Sequence, residues 1–228
     1  MSQPVLVLAS HNQGKLRELR ELLRGQVPGL DVDSQVIDAA TAGATDPVED
    51  QVTFQGNALK KAREIAKSTG LIALADDSGL SVDVLGGAPG IFSARWSGVH
   101  GNDEANIDLL LAQLGDIAAE HRGAQFVCAA ALATPEGDEF VELGKVEGQL
   151  RTKRAGEHGF GYDPIFEPAG AGKSMAQHTP EEKNAISHRA RAFAALLPTI
   201  VEAVSKALAK YGGHSSKSDS ITQTPPAR

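Results

Sequence analysis

The sequence predicts an α/β fold. Two short apolar runs rich in β formers, Val5–Ala9 and Leu71–Ala75, have the pattern of strands buried on both faces. Amphipathic helical patterns alternate with them, and no linker divides the chain between Val5 and Lys210. The alternation implies a single α/β domain over residues 1–211.

The elements follow in order. Val5–Ala9 ends in Ser10-His11-Asn12-Gln13-Gly14-Lys15 and leads into a helix. Its apolar face carries Leu16, Leu19, Leu22 and Leu23, its polar face Arg17, Glu18, Arg20 and Glu21, and Gly25 and Pro28 stop it. Residues 31–50 are polar and predicted as loop, ending in the acidic stretch Asp46-Pro47-Val48-Glu49-Asp50. A second helix is predicted from Phe54 to Lys67, with Phe54, Ala58, Ala62, Ile65 and Ala66 as a narrow apolar stripe. Leu71–Ala75 then runs into Asp76-Asp77-Ser78-Gly79, which places adjacent carboxylates at a strand's end.

Downstream, Gly86-Gly87-Ala88-Pro89-Gly90 leads to Ser93-Ala94-Arg95, and Ile107, Leu110, Leu111 and Leu114 mark a helix closed by Gly115. Gln125–Ala133 and Glu139–Val146 are strands joined by the hairpin sequence Pro135-Glu136-Gly137-Asp138. Gly159–Phe166 is a turn and strand. Thr179-Pro180-Glu181-Glu182 opens a helix with a capping Thr, Pro at the first helical position and acids in the first turn. Its periodicity continues to about Lys210, with a kink or break expected at Pro198. Beyond, residues 212–228 hold one large apolar residue, Ile221, and are predicted to be a disordered tail.

Composition excludes several function classes. The 228 residues carry 22 Lys+Arg against 29 Asp+Glu, a net charge of −7, which argues against a basic nucleic-acid-binding surface. One small phosphorylated ligand remains compatible, since it needs only a local cluster of positive charge. The single Cys rules out an internal disulfide or multi-Cys zinc site and suits a reducing compartment. No uninterrupted apolar run reaches the ~18 residues of a membrane span, and the N-terminus lacks signal-peptide character. The expectation is a soluble, cytoplasmic protein.

Four segments carry chemistry. Ser10-x-Asn12-x-x-Lys15 lies between a strand and a helix, where helix amides and a lysine can receive an anion. The plainer alternative is that Ser10 or Asn12 only caps the helix. Asp76-Asp77 can hold Mg²⁺, which is usually bound by one or two carboxylates plus substrate phosphates, or can be an ordinary acidic turn. Glu49 is a further candidate ligand. Gly159-Phe160-Gly161-Tyr162-Asp163 offers rings that can stack on a base, typically worth ~1–3 kcal/mol, or that belong to the core. Lys183, Ser187, His188 and Arg189 gather donors and positive charge within seven residues. Together, an anion cradle, a metal carboxylate, a stacking ring and a donor cluster describe a nucleoside triphosphate site.

At this point the sequence resembles the inosine/xanthosine triphosphate pyrophosphatases. The matching blocks are Ser10–Lys15, Thr53-Phe54 with Asn57-Ala58, Ala75–Leu80, Gly87–Gly90 with Ser93–Arg95, Gly159–Pro164, and Glu182–Asn184 with Ser187–Arg189, in the family's order and spacing. Two positions depart from the family pattern: Gly56 stands where an acid is common, and Glu49-Asp50-Gln51-Val52 where Glu-Thr-Gly often precedes Thr-Phe.

The resemblance implies an elongated mixed sheet flanked by helices, with two lobes and an active-site cleft between them, usually in a homodimer. It implies Mg²⁺-dependent cleavage of ITP, dITP and XTP between the α- and β-phosphates, giving the monophosphate and pyrophosphate. Carried over by position, Asp77 is the catalytic carboxylate and a metal ligand; Glu49, in the acidic loop, is a candidate second ligand beside the plainer reading of a solvated surface carboxylate. Ser10, His11, Asn12, Gln13, Gly14, Lys15 and Lys183 match phosphate contacts, and Ser78 adjoins Asp77. Phe160, Gly161, Tyr162, Asp163, His188 and Arg189 match the base-binding positions. Because a bound cation lowers the basicity of its ligand, Asp77 is expected to act chiefly as ligand and orienter, with Asp76 or a hydroxide on the metal sharing the proton transfer. The competing readings are a Maf-type pyrophosphatase acting on other nucleotides and a nucleotide-binding sensor without turnover.

Overall fold

In the computed structural model, which describes residues 3–45 and 47–212, a single six-stranded sheet organises the chain. Its first part contains β1 (Leu6–Leu8), α1 (Gln13–Leu23), the single turn α2 (Val32–Gln35), β2 (Val36–Asp38) and α3 (Phe54–Thr69). Then come β3 (Ile72–Val82), α4 (Asp103–Gln113), β4 (Gly123–Ala133), β5 (Glu139–Leu150) and β6 (Phe166–Pro168), and finally α5 (Pro180–Ile186) and α6 (His188–Gly212). The sheet order is β2-β1-β3-β4-β5-β6, with β1 parallel to both its neighbours and every pair from β3 to β6 antiparallel. This is the expected mixed sheet flanked by helices. The tail beyond Gly212 lies outside the described residues.

The two lobes arise because three strands are much longer than the rest. At ~3.3 Å per residue, the 11, 11 and 12 residues of β3, β4 and β5 carry the sheet well past the ends of β1 and β2. In the first lobe, α1 and α6 pack on one sheet face through Leu16, Leu19, Leu23, Leu196 and Ile200 against Leu6, Leu74 and Leu132. On the opposite face Ala58, Ala62 and Ile65 of α3 meet Ala73, Ala75, Ala129 and Ala131, small residues that let the helix lie close. In the second lobe Leu80, Phe126, Val146 and Leu150 pack with Ile107 and Leu110 of α4 and with Tyr162, Phe166 and Met175.

Three sequence expectations change. The polar stretch 31–50 contains α2, capped by Asp31, and β2, whose three residues are all buried beside β1. Three residues are too few to show a period, and their polar flanks hide them. The Asp76-Asp77-Ser78-Gly79 segment lies inside β3, not at its end, because antiparallel pairing with β4 continues from Ala73 to Val82. The stretch is nonetheless adjacent to a strand end: β1 pairs only as far as Leu8 with Leu74, and that edge of β3 has no strand partner again until Ser81 bridges Pro89.

The third change concerns Pro198. α6 passes through it unbroken, and the break falls instead at Ser187, between α5 and α6. Pro198 and Ala194 are both exposed, so the carbonyl freed by the missing N–H faces water, while Ala192, Leu196, Ile200 and Val204 hold both halves on one core. By length and composition His188–Lys210 is long and apolar enough to cross a membrane, contrary to the sequence expectation. Its buried face here is part of the sheet core.

The start of α6 is pressed onto β5 at Gly144, where a Cβ would lie 2.0 Å from the His188 carbonyl oxygen and 2.4 Å from the Ala192 nitrogen. Both are backbone atoms that cannot rotate away. Gly144→Ala is expected to cost on the order of 1–3 kcal/mol, as overpacking does, and to displace the start of α6; a melting temperature equal to that of the unaltered protein would contradict this.

Candidate active site

Between the last paired residues of β1 and the bridge of Ser81 with Pro89, one edge of β3 has no strand partner, and strand alternation sends its two aspartates to opposite faces. Asp76 shares the face of Leu74 and Cys128, toward α1 and α6. Asp77 shares the face of Ala73 and Ala75, toward α3. Adjacent in sequence, the two carboxylates therefore have different partners.

Asp76 is buried. Its Oδ2 takes Lys15 Nζ at 2.8 Å and its Oδ1 takes Arg189 Nη2 at 3.3 Å. Burial alone would raise its pKa, but the Lys15 and Arg189 charges outweigh it and hold the carboxyl well below the usual range. Such an aspartate is a fixed negative charge and a poor proton acceptor. The expected share of Asp76 in proton transfer is therefore not supported: it faces away from Asp77 and both oxygens are engaged.

Asp77 has the opposite balance. Burial raises its pKa, Lys61 and the hydrogen bond from Asn57 pull it back, and the charge of Glu49 raises it again. Asn57 Nδ2 donates to Asp77 Oδ2 at 2.9 Å. Lys61 Nζ donates to Glu49 Oε1 at 2.6 Å and to the Asp76 backbone carbonyl, on the uncovered edge of β3, at 2.7 Å. Glu49, Lys61, Asn57 and Asp77 thus form one cluster on the α3 side.

Of these residues Lys61 does not stand out in the sequence, and Asn57 does so only within a matching block, without a role. They stand four apart on α3 and so share a helix face. That spacing was the available signal, but Lys61 is masked by its neighbour Lys60, whose ammonium pairs with Asp50 at 2.8 Å. The two departures from the family pattern also meet here. A Cβ on Gly56 would lie 2.9 Å from Gln51 Cβ, and Gln51 N donates to Asn57 Oδ1 at 2.9 Å. Gly56 is what allows Gln51 to fold over the start of α3, beside Glu49.

In the Ser10–Lys15 loop the capping alternative is realised. Asn12 Oδ1 accepts from Gly14 N at 2.8 Å and Lys15 N at 3.2 Å, and Ser10 Oγ accepts from Asn12 N at 3.1 Å. Gln13 donates its side-chain amide to the buried Asp38 at the end of β2, which also accepts from Thr41 N at 2.8 Å. These bonds fix the loop, leaving the Lys15 ammonium as its positive contribution to the cleft. His11 is exposed on the same loop. Ser78 hydrogen-bonds the Cys128 thiol across the β3–β4 pair, and burial pushes that thiol up to about 12, so it is inert at neutral pH.

At the other end of the cleft, Phe160 is 73% exposed, with Lys183 Nζ 4.4 Å from its ring centroid. Asp163 is buried, pairs with Lys183 and accepts from Phe160 N at 2.9 Å. Burial raises the Asp163 pKa and Lys183 counters it. Gly159, at φ +85°, is required, since a Cβ would meet Asp163 Oδ2 at 2.1 Å. Gly161 N donates to Asp103 Oδ2 at 2.6 Å, tying the turn to the start of α4. Tyr162 is buried and its hydroxyl donates to the Ser93 carbonyl at 2.9 Å, so it anchors the turn while Phe160 presents the free ring.

Ser187 Oγ accepts from Ala190 N at 3.1 Å and caps α6, which sets His188 and Arg189 in its first turn. His188 stacks on Phe126 at 4.9 Å with rings 16° apart, and its Nδ1 is buried without a partner. Arg189 also approaches Glu18 at 3.7 Å and lies 5.2 Å from the Phe193 ring centroid. The structure therefore brings Lys15, Asp76 and Arg189 together, Glu49 and Asp77 together, and Phe160, Asp163 and Lys183 together.

Two expectations follow. Gly56→Ala should push Gln51 and Glu49 outward and lower activity several-fold, and Gln51→Gly in the same chain should restore it; no rescue would show that the contact is unimportant. Burial, followed by Lys183, lowers the His188 pKa to about 4, whereas an unfolded histidine titrates near ~6.5. Between those values the unfolded chain binds a proton that the folded chain refuses, so stability is full above about pH 6.5 and falls as pH drops toward 4. His188→Phe should lose less stability between pH 7 and pH 5 than the parent in urea titrations; identical losses would contradict this.

Comparison with known proteins is consistent across sequence and structure. Residues 6–199 match the model of the Ham1 family. The chain is 57% identical over 197 residues to the dITP/XTP pyrophosphatase of Streptomyces coelicolor, covering 86% of this chain and 97% of that protein. It is 51% identical over 203 residues to the dITP/XTP pyrophosphatase of Corynebacterium efficiens, covering 86% and 97%. Among solved structures it resembles the nucleoside-triphosphatase/dITP/XTP pyrophosphatase of Mycobacterium abscessus, with a TM-score of 0.72 and 49% identity over 86% of this chain and all of that one. The HAM1 protein of Coxiella burnetii superposes with a TM-score of 0.79 and 39% identity over 89% of this chain and 100% of the other.

Proposed function

The chain belongs to the Ham1 family, and from that premise we propose that it hydrolyses non-standard purine nucleoside triphosphates (ITP, dITP and XTP) to the monophosphate and pyrophosphate, clearing them from the nucleotide pool. The observation that carries the reading is the split of Asp76 and Asp77 across β3. One carboxylate is locked between cations, and the other is desolvated yet available beside Lys61 and Glu49.

The donor set suits Mg²⁺. Asp77 and Glu49 are hard oxygen donors within one electrostatic cluster, the charge of Glu49 acting on Asp77. Among the described residues no group of three or more His, Cys, Asp or Glu could hold a metal by itself, which fits a cation that arrives with substrate phosphates and one or two protein carboxylates. When bound, the cation would draw charge from the phosphate oxygens and make pyrophosphate a better leaving group.

The chain's own residues divide the remaining work. Lys15, Lys61 and Lys183 offset the charge of the triphosphate in an acidic protein, with Ser10–Gly14 shaping the loop beneath it. Asp77, held by Asn57, would ligate the cation and orient the attacking water on the α3 side of β3. Phe160 stacks on the base, and Lys183 is positioned by Asp163 and stiffened against that ring. His188, neutral at pH 7, and Arg189 provide donors for the 6-oxo group that distinguishes hypoxanthine and xanthine from adenine. The reading extends to Mg²⁺ as the cation, supported by the donor set and the family resemblance, to a homodimeric assembly, supported by the resemblance, and to a cytoplasmic place of action, supported by the composition.

Products from ITP, XTP, dITP, GTP and ATP, assayed with and without Mg²⁺, test the proposal. Pyrophosphate from ITP and XTP, far faster than from ATP or GTP and only with metal, is expected. Orthophosphate as first product, or binding without turnover, would refute it. Asp77→Asn and Lys61→Met should each lower kcat by ~10² or more, and retention of most activity in either would remove the role assigned to it.

A further inference from the structure

Asp76 is the one fully engaged buried carboxylate at the site to which the chemistry above assigns no task. Its side chain is 3% exposed, against 29% for Lys15 and 14% for Arg189. Each cation takes a different oxygen, Lys15 from α1 on Oδ2 and Arg189 from the first turn of α6 on Oδ1. Lys15 belongs to the phosphate end of the cleft and Arg189 to the base end. Beside Asp76, Arg189 meets the looser Glu18 pair at 3.7 Å and the Phe193 ring.

We propose that Asp76 is a positioning residue that couples the two ends of the nucleotide site, holding Lys15 for the phosphates and Arg189 for the base through one shared buried charge. The proposal rests on the triphosphate-pyrophosphatase reading given above. Asp76 touches neither phosphate nor base; it acts through the cations on either side. When phosphates draw Lys15 forward, Asp76 is left to Arg189, and a base that engages Arg189 leaves Asp76 to Lys15. Coupling of this kind is reciprocal: a change at one end must be felt at the other. A pair of independent anchors would not behave so.

The test compares kcat and KM for ITP and ATP in the unaltered protein, Lys15→Met, Lys15→Arg and Asp76→Asn. Lys15→Met leaves Arg189 to Asp76 alone, so the ITP-to-ATP ratio of kcat/KM should fall at least five-fold, in addition to the loss of kcat. Lys15→Arg keeps the pair and should keep the ratio. Asp76→Asn should lower both kcat and the ratio. Because Asp76 is buried and Lys15 is partly exposed, the Lys15 pair carries the test even if Asp76→Asn fails to fold. Where turnover is too slow, direct calorimetric binding of IMP against AMP should lose its discrimination in Lys15→Met and keep it in Lys15→Arg.

A ratio unchanged within two-fold in Lys15→Met would overturn the coupling while leaving the function intact. Failure of the unaltered protein to release pyrophosphate from ITP would instead overturn the functional reading, and the coupling with it.

Discussion

The active cleft depends on a negative charge placed inside a β-sheet. Burying a carboxylate is costly unless it is paired, and Asp76 is paired twice, by cations that α1 and α6 bring from opposite ends of the chain. The same charge that fixes those two helices on one sheet face also aims their cations at the cleft. Strand alternation then turns the next residue, Asp77, to the other face, where α3 meets it with Asn57 and Lys61. Two carboxylates of one type thus acquire different properties from the pleat alone.

The base end is built on a different economy. There the backbone is held by side chains: Asp163 on Phe160 N, Asp103 on Gly161 N and the Tyr162 hydroxyl on Ser93. One aromatic ring, Phe160, remains exposed on a turn whose neighbours are all anchored. A platform fixed in this way loses little freedom when a base stacks on it. The stacking of His188 on Phe126, and the close approach of α6 to Gly144, extend the rigidity to the donors opposite.

Much of this was legible in the sequence, for physical reasons that differ by element. The helices α1, α3 and α4 and the β4–β5 hairpin repeat their apolar pattern over enough residues to be recognised, and the Thr179 cap with Pro180 marks the start of α5. The blocks around Lys15, Asp77, Asp163 and His188 were visible as ligand-like clusters. What was not legible depends on long-range pairing. β2 is only three residues long, and the continuation of β3 through Asp77 follows from its pairing with β4, not from local composition. Lys61 became visible only when its contacts with Glu49 and the β3 edge were known. Pro198 breaks a helix in isolation, but here exposure of its freed carbonyl and a shared core on the other side keep α6 whole.

The measurement that tests the central claim most directly is hydrolysis of ITP in ¹⁸O-labelled water, followed by mass analysis of both products. If Asp77 orients water for attack on the α-phosphorus, the label appears in the nucleoside monophosphate and the pyrophosphate is unlabelled. Label in pyrophosphate or in orthophosphate would place the attack at the β- or γ-phosphorus and contradict the assignment of this cleft.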